Sequence, residues 1–330
     1  MWGVRGAVPQ GMNPVTAREL YEAAIRLGRS RDPRGEEALD LQLDQRRREY
    51  ERLTGRDRLL YDTERLHNPF GDTRLAAGDF DRELRRVMVG IDLDVGEVAL
   101  AHSLSQAGKP VDALIAHHAS AIGGAVGSPE DTMNMQVAML ARVGVSHGRA
   151  RRVVEPGYGL HARAVNYRLN QAADAAGMTL MTLHAPADAC VYAYLHELAE
   201  RERPETVGDL VELCDAQPEI AWFVERGLAT EIAVGRPENA LGCVFYGFYG
   251  GWLLSVDGLN ALCDAGVGTF ISVATTPEHN RLASRRGLNI VVAPHYACDA
   301  IGLNLLLDAL MPGDVEYVET SNFVRVARTG

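Results

Sequence analysis

The chain is poor in cysteine, in long apolar runs and in positive charge. Its five cysteines (Cys190, Cys214, Cys243, Cys263 and Cys298) are odd in number, widely spaced and form no CxxC pair. That excludes a disulfide framework and a zinc knuckle, and leaves reduced thiols of the kind expected in a cytoplasmic protein. No stretch approaches the ~18 apolar residues that span a bilayer, and the opening MWGVRGAVPQ has no uninterrupted apolar segment of signal type. Membrane insertion is therefore not expected. Against 44 Asp+Glu stand 33 Lys+Arg, a net charge of −11. Nucleic-acid binding driven by phosphate neutralisation has no footing there. No Ser-His-Asp set stands out either, so a serine nucleophile is not the first expectation.

What is present belongs to an ordinary folded protein. The 330 residues are 47% apolar and 23% charged, enough for one large or two modest domains with a real core. Residues 1–66 read as a helical N-terminal extension. Leu20, Ala24, Ile25 and Leu27 recur at helical spacing behind Asn13, a candidate cap. The charged run Glu36–Leu60 carries a narrow stripe of Leu39, Leu43, Tyr50, Leu53 and Leu60 that would pack across another helix of this chain or a partner. Its Arg46-Arg47-Arg48 triple lies among acidic residues and reads as a solvated face.

Residues 67–330 alternate strands with helices. Strands are expected at Arg86–Leu93, Asp112–Ala116, Thr179–Leu183, Gly242–Phe248, Thr269–Val273 and Asn289–Ala293. Helices are expected at Gly96–Ala107, Thr132–Ala141, Leu160–Ala176, Ala189–Arg201, Val256–Ala265, Pro277–Arg286 and Ala300–Leu310. That alternation predicts an α/β fold of mostly parallel sheet flanked by helices, with its site beyond the carboxyl ends of the strands.

Of ten histidines, four stand where an apolar strand stops. DALIA runs into His117-His118, TLMTL into His184 and IVVAP into His295. Two of these ends repeat a pattern: His184, three residues, Asp188; and His295, three residues, Asp299. Singly, each Asp reads as a helix N-cap and each His as a buried, hydrogen-bonded imidazole. Together, four imidazoles and two carboxylates at neighbouring strand ends would be costly to desolvate without a divalent cation. Six donors exceed a tetrahedral mononuclear site, and a mixed imidazole/carboxylate set suits Zn, Mn, Fe or Co. Two ions ~3.5–4 Å apart would use the adjacent His117-His118 better than one.

The stretches NPFGDTRLAAGD, VMVGIDLDVGEVALAHSL, VDALIAHHAS, TLMTLHAPAD and NIVVAPHYACDAIGLNLLLDAL resemble the GTP cyclohydrolase 1 type 2-like family, also called Ngg-one-interacting-factor-three-like. The resemblance covers about residues 67 to 330, and the extension resembles that of a long-N-terminus branch. It implies two α/β lobes, a dinuclear metal centre in the cleft between them, and often a toroidal homohexamer. It also implies the ligand set His117, His118, His184, Asp188, His295 and Asp299. This chain departs from the family in Ala119, where Pro usually follows the paired histidines, and in Asp299, where Glu is usual. The family's inserted regulatory domain has no counterpart here.

Two divalent ions bridged by a carboxylate make a shared water nucleophilic near neutrality, so metal-dependent hydrolysis of a small molecule, a nucleotide or another phosphorylated compound, is the leading functional expectation. A metal-binding assembly or regulatory protein without turnover, or a metallochaperone, is the alternative. His279 reads either as a proton shuttle beside the cleft or as a surface helix residue. His147, Arg149, Arg151 and Arg152, followed by Arg163 and Arg168, read either as a phosphate- or carboxylate-binding patch or as a salt-bridged helix face. Gly242, Gly247, Gly250 and Gly251 could admit a ligand to the backbone or mark bends. His102, His161 and His196 read as structural, and Cys298 as a bystander.

Overall fold

The computed structural model describes residues 15–119, 129–161, 167–250, 253–311 and 315–328. Asn13, Arg163 and Gly251 lie outside them, as does the side chain of His161. Helix α1 (Ala17–Arg31) opens on a capping box in which Thr16 and Glu19 satisfy each other's backbone N–H. Helix α2 (Glu36–Arg52) buries the expected Leu39 and Leu43. It ends at Leu53, and α3 (Gly55–Leu60) begins anew, because Leu53 and Thr54 are extended. The single helix expected over Glu36–Leu60 is therefore two.

The arginine triple also divides. Arg46 follows Leu39 and Leu43 on the same helical stripe, so it is buried, where it pairs with Asp131 and donates to the carbonyls of Arg65 and Asn68. Arg47 and Arg48 stay exposed. The solvated face is two residues rather than three.

After β1 (Thr73–Ala77) come β2 (Arg86–Leu93), α4 (Val95–Gln106), β3 (Ala113–Ala119), α5 (Pro129–Arg142), α6 (His147–His161), α7 (Arg168–Ala176), β4 (Thr179–Leu183) and α8 (His184–Glu202). Helices α9 (Val207–Asp215) and α10 (Pro218–Val224) lead to β5 (Glu231–Val234), β6 (Cys243–Tyr246), α11 (Val256–Asp264), β7 (Val267–Ser272), α12 (Pro277–Arg286), β8 (Asn289–Val292) and α13 (His295–Leu310). The chain then returns as β9 (Glu316–Thr320). The helix expected over Leu160–Ala176 is replaced by the end of α6 and by α7.

Two sheets result, with strand orders β1-β4-β3-β2-β9 and β5-β8-β7-β6. All pairs are parallel except β1–β4 and β5–β8, each at a sheet edge. The central strands are apolar because both their faces are covered: β4 is buried at every position, and β2 at six of its eight. The N-terminal helices are part of this packing. Ala17, Leu20 and Ala24 of α1 share one apolar cluster with Val87, Ile115 and Leu303.

Candidate metal centre

Three strand ends deliver the four histidines. His117 and His118 close β3, and His184 and His295 are the first residues of α8 and α13. These two helices start earlier than the sequence pattern suggests, and that changes the role of their aspartates. The N-cap positions are Leu183 and Pro294, so Asp188 and Asp299 are not caps. Each instead stands one turn into its helix, at i+4 from its histidine and on the same face. The helices cross where Gly302 of α13 meets the backbone of Ala187, next to Asp188.

All six side chains converge. The His117 ring lies 4.6 Å from His118 and 4.7 Å from His184, centroid to centroid, and His118 lies 5.4 Å from His295. His117 Nε2 is 3.4 Å from Asp188 Oδ1, and His117 Nδ1 is 3.6 Å from Asp299 Oδ2. His184 Nε2 is 3.6 Å from Asp188 Oδ2, and His295 Nε2 is 3.3 Å from Asp299 Oδ2. These gaps exceed the ~2.7–3.2 Å of an N–H···O bond. They match the edge of a tetrahedron of donors about 2.1 Å from a shared ion, which is about 3.4 Å.

Both ring nitrogens of His117, with Asp188 Oδ2 and Asp299 Oδ2, are buried with no hydrogen-bond partner in the described structure. Buried polar atoms are rarely left so. Three overlapping groups could each hold a metal ion: His117–His118–His184, His118–His295–Asp299 and His117–Asp188–Asp299. Asp299 belongs to the last two.

The other faces of two imidazoles are engaged by carboxylates that sequence reasoning missed. His118 Nδ1 is 2.9 Å from Asp92 Oδ1, and His184 Nδ1 is 2.6 Å from Asp72 Oδ2. Strand register explains both. Asp92 of β2 sits opposite His118 of β3, and Asp72 precedes the Thr73↔Leu183 pair and so faces His184. Such carboxylate–histidine contacts fix the tautomer and leave Nε2 for a metal. A polar residue inside the apolar run RVMVGIDL was the available signal for Asp92.

The cluster is electrostatically strained without a cation. Burial, reinforced by the neighbouring imidazoles, holds His117 well below the ordinary histidine value, and burial with His118 lowers His295 to about 4. Burial pushes Asp188 up to about 7, against the pull of His184, and drives Asp299 well above the carboxylate range, with Asp188 adding to the effect. His184 goes the other way, to about 10, because Asp188, Asp72 and Asp299 together outweigh its burial. His117 and His295 driven neutral, and Asp188 and Asp299 driven toward protonation, are what buried polar groups show when nothing compensates them. A divalent cation removes both penalties.

A cavity of about 160 Å³ opens onto His118, His184, His295, Asp188 and Asp299. Its opposite wall is Phe248, Leu253, Val273 and Ala274. The candidate arginines and His279 do not line it. Arg149 is on α6, paired with Asp264 at 2.5 Å, beside the exposed Arg151 and Arg152, and Arg168 pairs with Asp94. His279 is neither surface nor cavity: it is buried on α12, with Nδ1 3.1 Å from Thr276 Oγ1. Gly247 does line the cavity. Gly144-Val145-Ser146-His147-Gly148 matches the G-x-S-x-G elbow pattern. It joins helix α5 to helix α6 rather than a strand to a helix, so it lacks the elbow's context.

The fold and site define an α/β protein with a buried His/Asp cluster at its strand ends that could hold a metal ion. No protein-family model matches the chain, and no curated protein matches it. Solved structures do. The NIF3 superfamily protein from Sphaerobacter thermophilus is similar over 94% of this chain and 100% of its own, with TM-score 0.67 and 22% identity. HcgD from Methanocaldococcus jannaschii matches over 84% and 97% (TM-score 0.46, 14% identity), and a Bacillus cereus protein related to NIF3 over 96% and 100% (TM-score 0.42, 11% identity). The chain has the fold of the Sphaerobacter protein.

Proposed function

We propose that this chain is a dinuclear metal-dependent hydrolase of the GTP cyclohydrolase 1 type 2-like family, acting on a small molecule. The observation that carries the reading is the sharing of Asp299 between two three-donor groups. One ion would be held by His118, His295 and Asp299, and the other by His117, Asp188 and Asp299, with His184 beside the second. Asp299, one methylene shorter than the usual Glu, would serve both groups from its place one turn into α13.

Bound divalent ions supply Lewis acidity toward a water and toward a carbonyl or phosphoryl oxygen. The protein's own part is positional. Asp92 and Asp72 hold His118 and His184 by Nδ1. Phe248 and Leu253 form an apolar wall that limits water, while the cavity leaves room for a substrate beside the ligands. That open space favours turnover over a closed structural site. The family resemblance further supports a cytoplasmic, ring-shaped homo-oligomer.

The test is elemental analysis of protein purified without chelator or added metal, alongside the double variant His118→Ala, Asp299→Ala. The expected result is about two divalent ions per chain, lost in the variant. A wild-type chain that stays metal-free even after reconstitution would refute the ligand assignment, and hydrolysis with it.

A further inference from the structure

The turn between α1 and α2 buries an ion pair that the proposed chemistry does not use. Arg34 Nη2 lies 2.6 Å from Asp32 Oδ2, and the two side chains are 6% and 0% exposed. Tyr249 joins them: its hydroxyl donates to Asp32 Oδ2, and Arg34 Nη2 donates to the Tyr249 oxygen at 3.4 Å. Pro33 between them accepts through its carbonyl from Arg142 of α5. A buried ion pair is a poor source of stability compared with apolar packing, and its best-attested use is to fix register.

What it fixes here leads to the metal centre. Tyr249 lies just beyond β6, in the segment whose Gly247 and Phe248 line the cavity. The backbone N–H of the next residue, Gly250, faces the Asp188 carboxylate and favours its charged form. Gly250 holds φ +103 against α5, where a Cβ would come within 2.7 Å of Gln136 Cγ. The segment is thus pinned at Tyr249 from one side and turns its next N–H toward Asp188.

We propose that Asp32, Arg34 and Tyr249 are positioning residues for the centre: the N-terminal extension aims Asp188 through the Tyr249–Gly250 segment. This rests on the dinuclear reading above, and it makes a site-selective claim. Asp188 belongs to the His117–Asp188–Asp299 group and not to the His118–His295–Asp299 group. Loosening the strut therefore weakens one ion and spares the other.

The test titrates the metal-free full chain with Co(II), reading the visible absorption and the heat of each binding step. Tyr249→Phe, Asp32→Ala and their double variant are compared with wild type and with Arg328→Ala, a destabilised control that touches none of the candidate ligands. The expected result is one step weakened about tenfold with an altered spectrum, and the other within about twofold. The double variant should be no worse than either single, because both cut the same strut. Two unchanged steps, or two steps weakened together as in the control, overturn the proposal. Should one variant fail to fold, the other alone carries the comparison. If wild type binds no Co(II) at all, it is the dinuclear reading that has failed first.

Discussion

Replacing Gly302 by alanine tests whether the approach of α8 and α13 sets the metal centre. The new Cβ would lie 2.4 Å from the Ala187 carbonyl oxygen and 2.8 Å from its carbon. Both are backbone atoms, so no rotamer change relieves the contact. Comfortable non-bonded separations begin at about 3.5 Å, and the helices must therefore part by about 1 Å. Overpacking of this kind costs about 1–3 kcal/mol. With about 2.1 cal/mol/K of unfolding entropy per residue over 330 residues, that is a fall of about 1.5–4 °C in the Tm of the metal-free protein. The effect on the centre should be larger. Asp188 follows Ala187 directly, Asp299 lies one turn before Gly302, and metal ligands tolerate displacements of only about 0.2 Å. Metal affinity should fall at least ~10-fold, comparable with losing an outer-shell partner. Calorimetry on metal-free protein and a chelator-competition titration read the two effects. Gly96→Ala on α4 is the control, since nothing lies within 4 Å of its added Cβ. It should stabilise by about 0.4–1 kcal/mol. A Gly302→Ala protein with unchanged Tm and affinity within twofold of wild type would refute the argument.

Asp92→Asn and Asp72→Asn should each lower metal affinity about 10–100-fold in the same competition assay, with no change in the unliganded fold by circular dichroism. Equal affinity in both variants would mean that the carboxylates do not orient His118 and His184. Arg328→Ala should cost about 3–5 kcal/mol, because it strips the fully buried Glu219 of a partner at 2.6 Å. Burial already raises the Glu219 carboxyl, against the pull of Arg328 and Asn304. A carboxyl whose folded pKa is raised loses stability as pH rises through that pKa, so the variant's deficit in urea melts should be greater at pH 7.5 than near the ordinary carboxylate value. A deficit that shrinks with rising pH would contradict this. Among the cysteines, exposed Cys243 should react with a disulfide reagent at pH 8 at once. Buried Cys190 and Cys214, pushed up to about 12 by desolvation, should react only on unfolding. Prompt modification of more than two thiols in native protein would count against the core packing.

The parts of the fold legible in the sequence are those whose burial is symmetric. Arg86–Leu93 and Thr179–Leu183 carry apolar runs because they lie inside a parallel sheet, and both strands have the expected bounds. Strands β1, β5 and β9 went unread. They lie at sheet edges: EIAV and EYVET mix polar with apolar residues because water reaches part of each, while TRLAA hides its pattern behind Thr73 and Arg74, which are buried, Arg74 in an ion pair with Asp62. The start of α8 was hidden by Pro186, which reads as a breaker. It is the third residue of the helix, in the first turn, where a missing N–H costs nothing. Asp72 and Asp92 went unread for a different reason. Their partners are set by strand register, which local spacing does not contain.

The same shift of helix start decides what the repeated His-x-x-x-Asp pattern means. Had α8 and α13 begun after the aspartates, each carboxylate would have spent its oxygens on backbone N–H groups, and the histidines would have stood outside the helix. Beginning at His184 and His295 puts each pair on one face and frees the carboxylates from capping. The crossing at Gly302 then brings the two pairs to the end of β3, where His117 stands between Asp188 and Asp299 with both nitrogens unpaired. Hydrogen bonds cannot satisfy that arrangement at 3.3–3.6 Å. A cation among the donors can, so the geometry is one that could hold a metal ion.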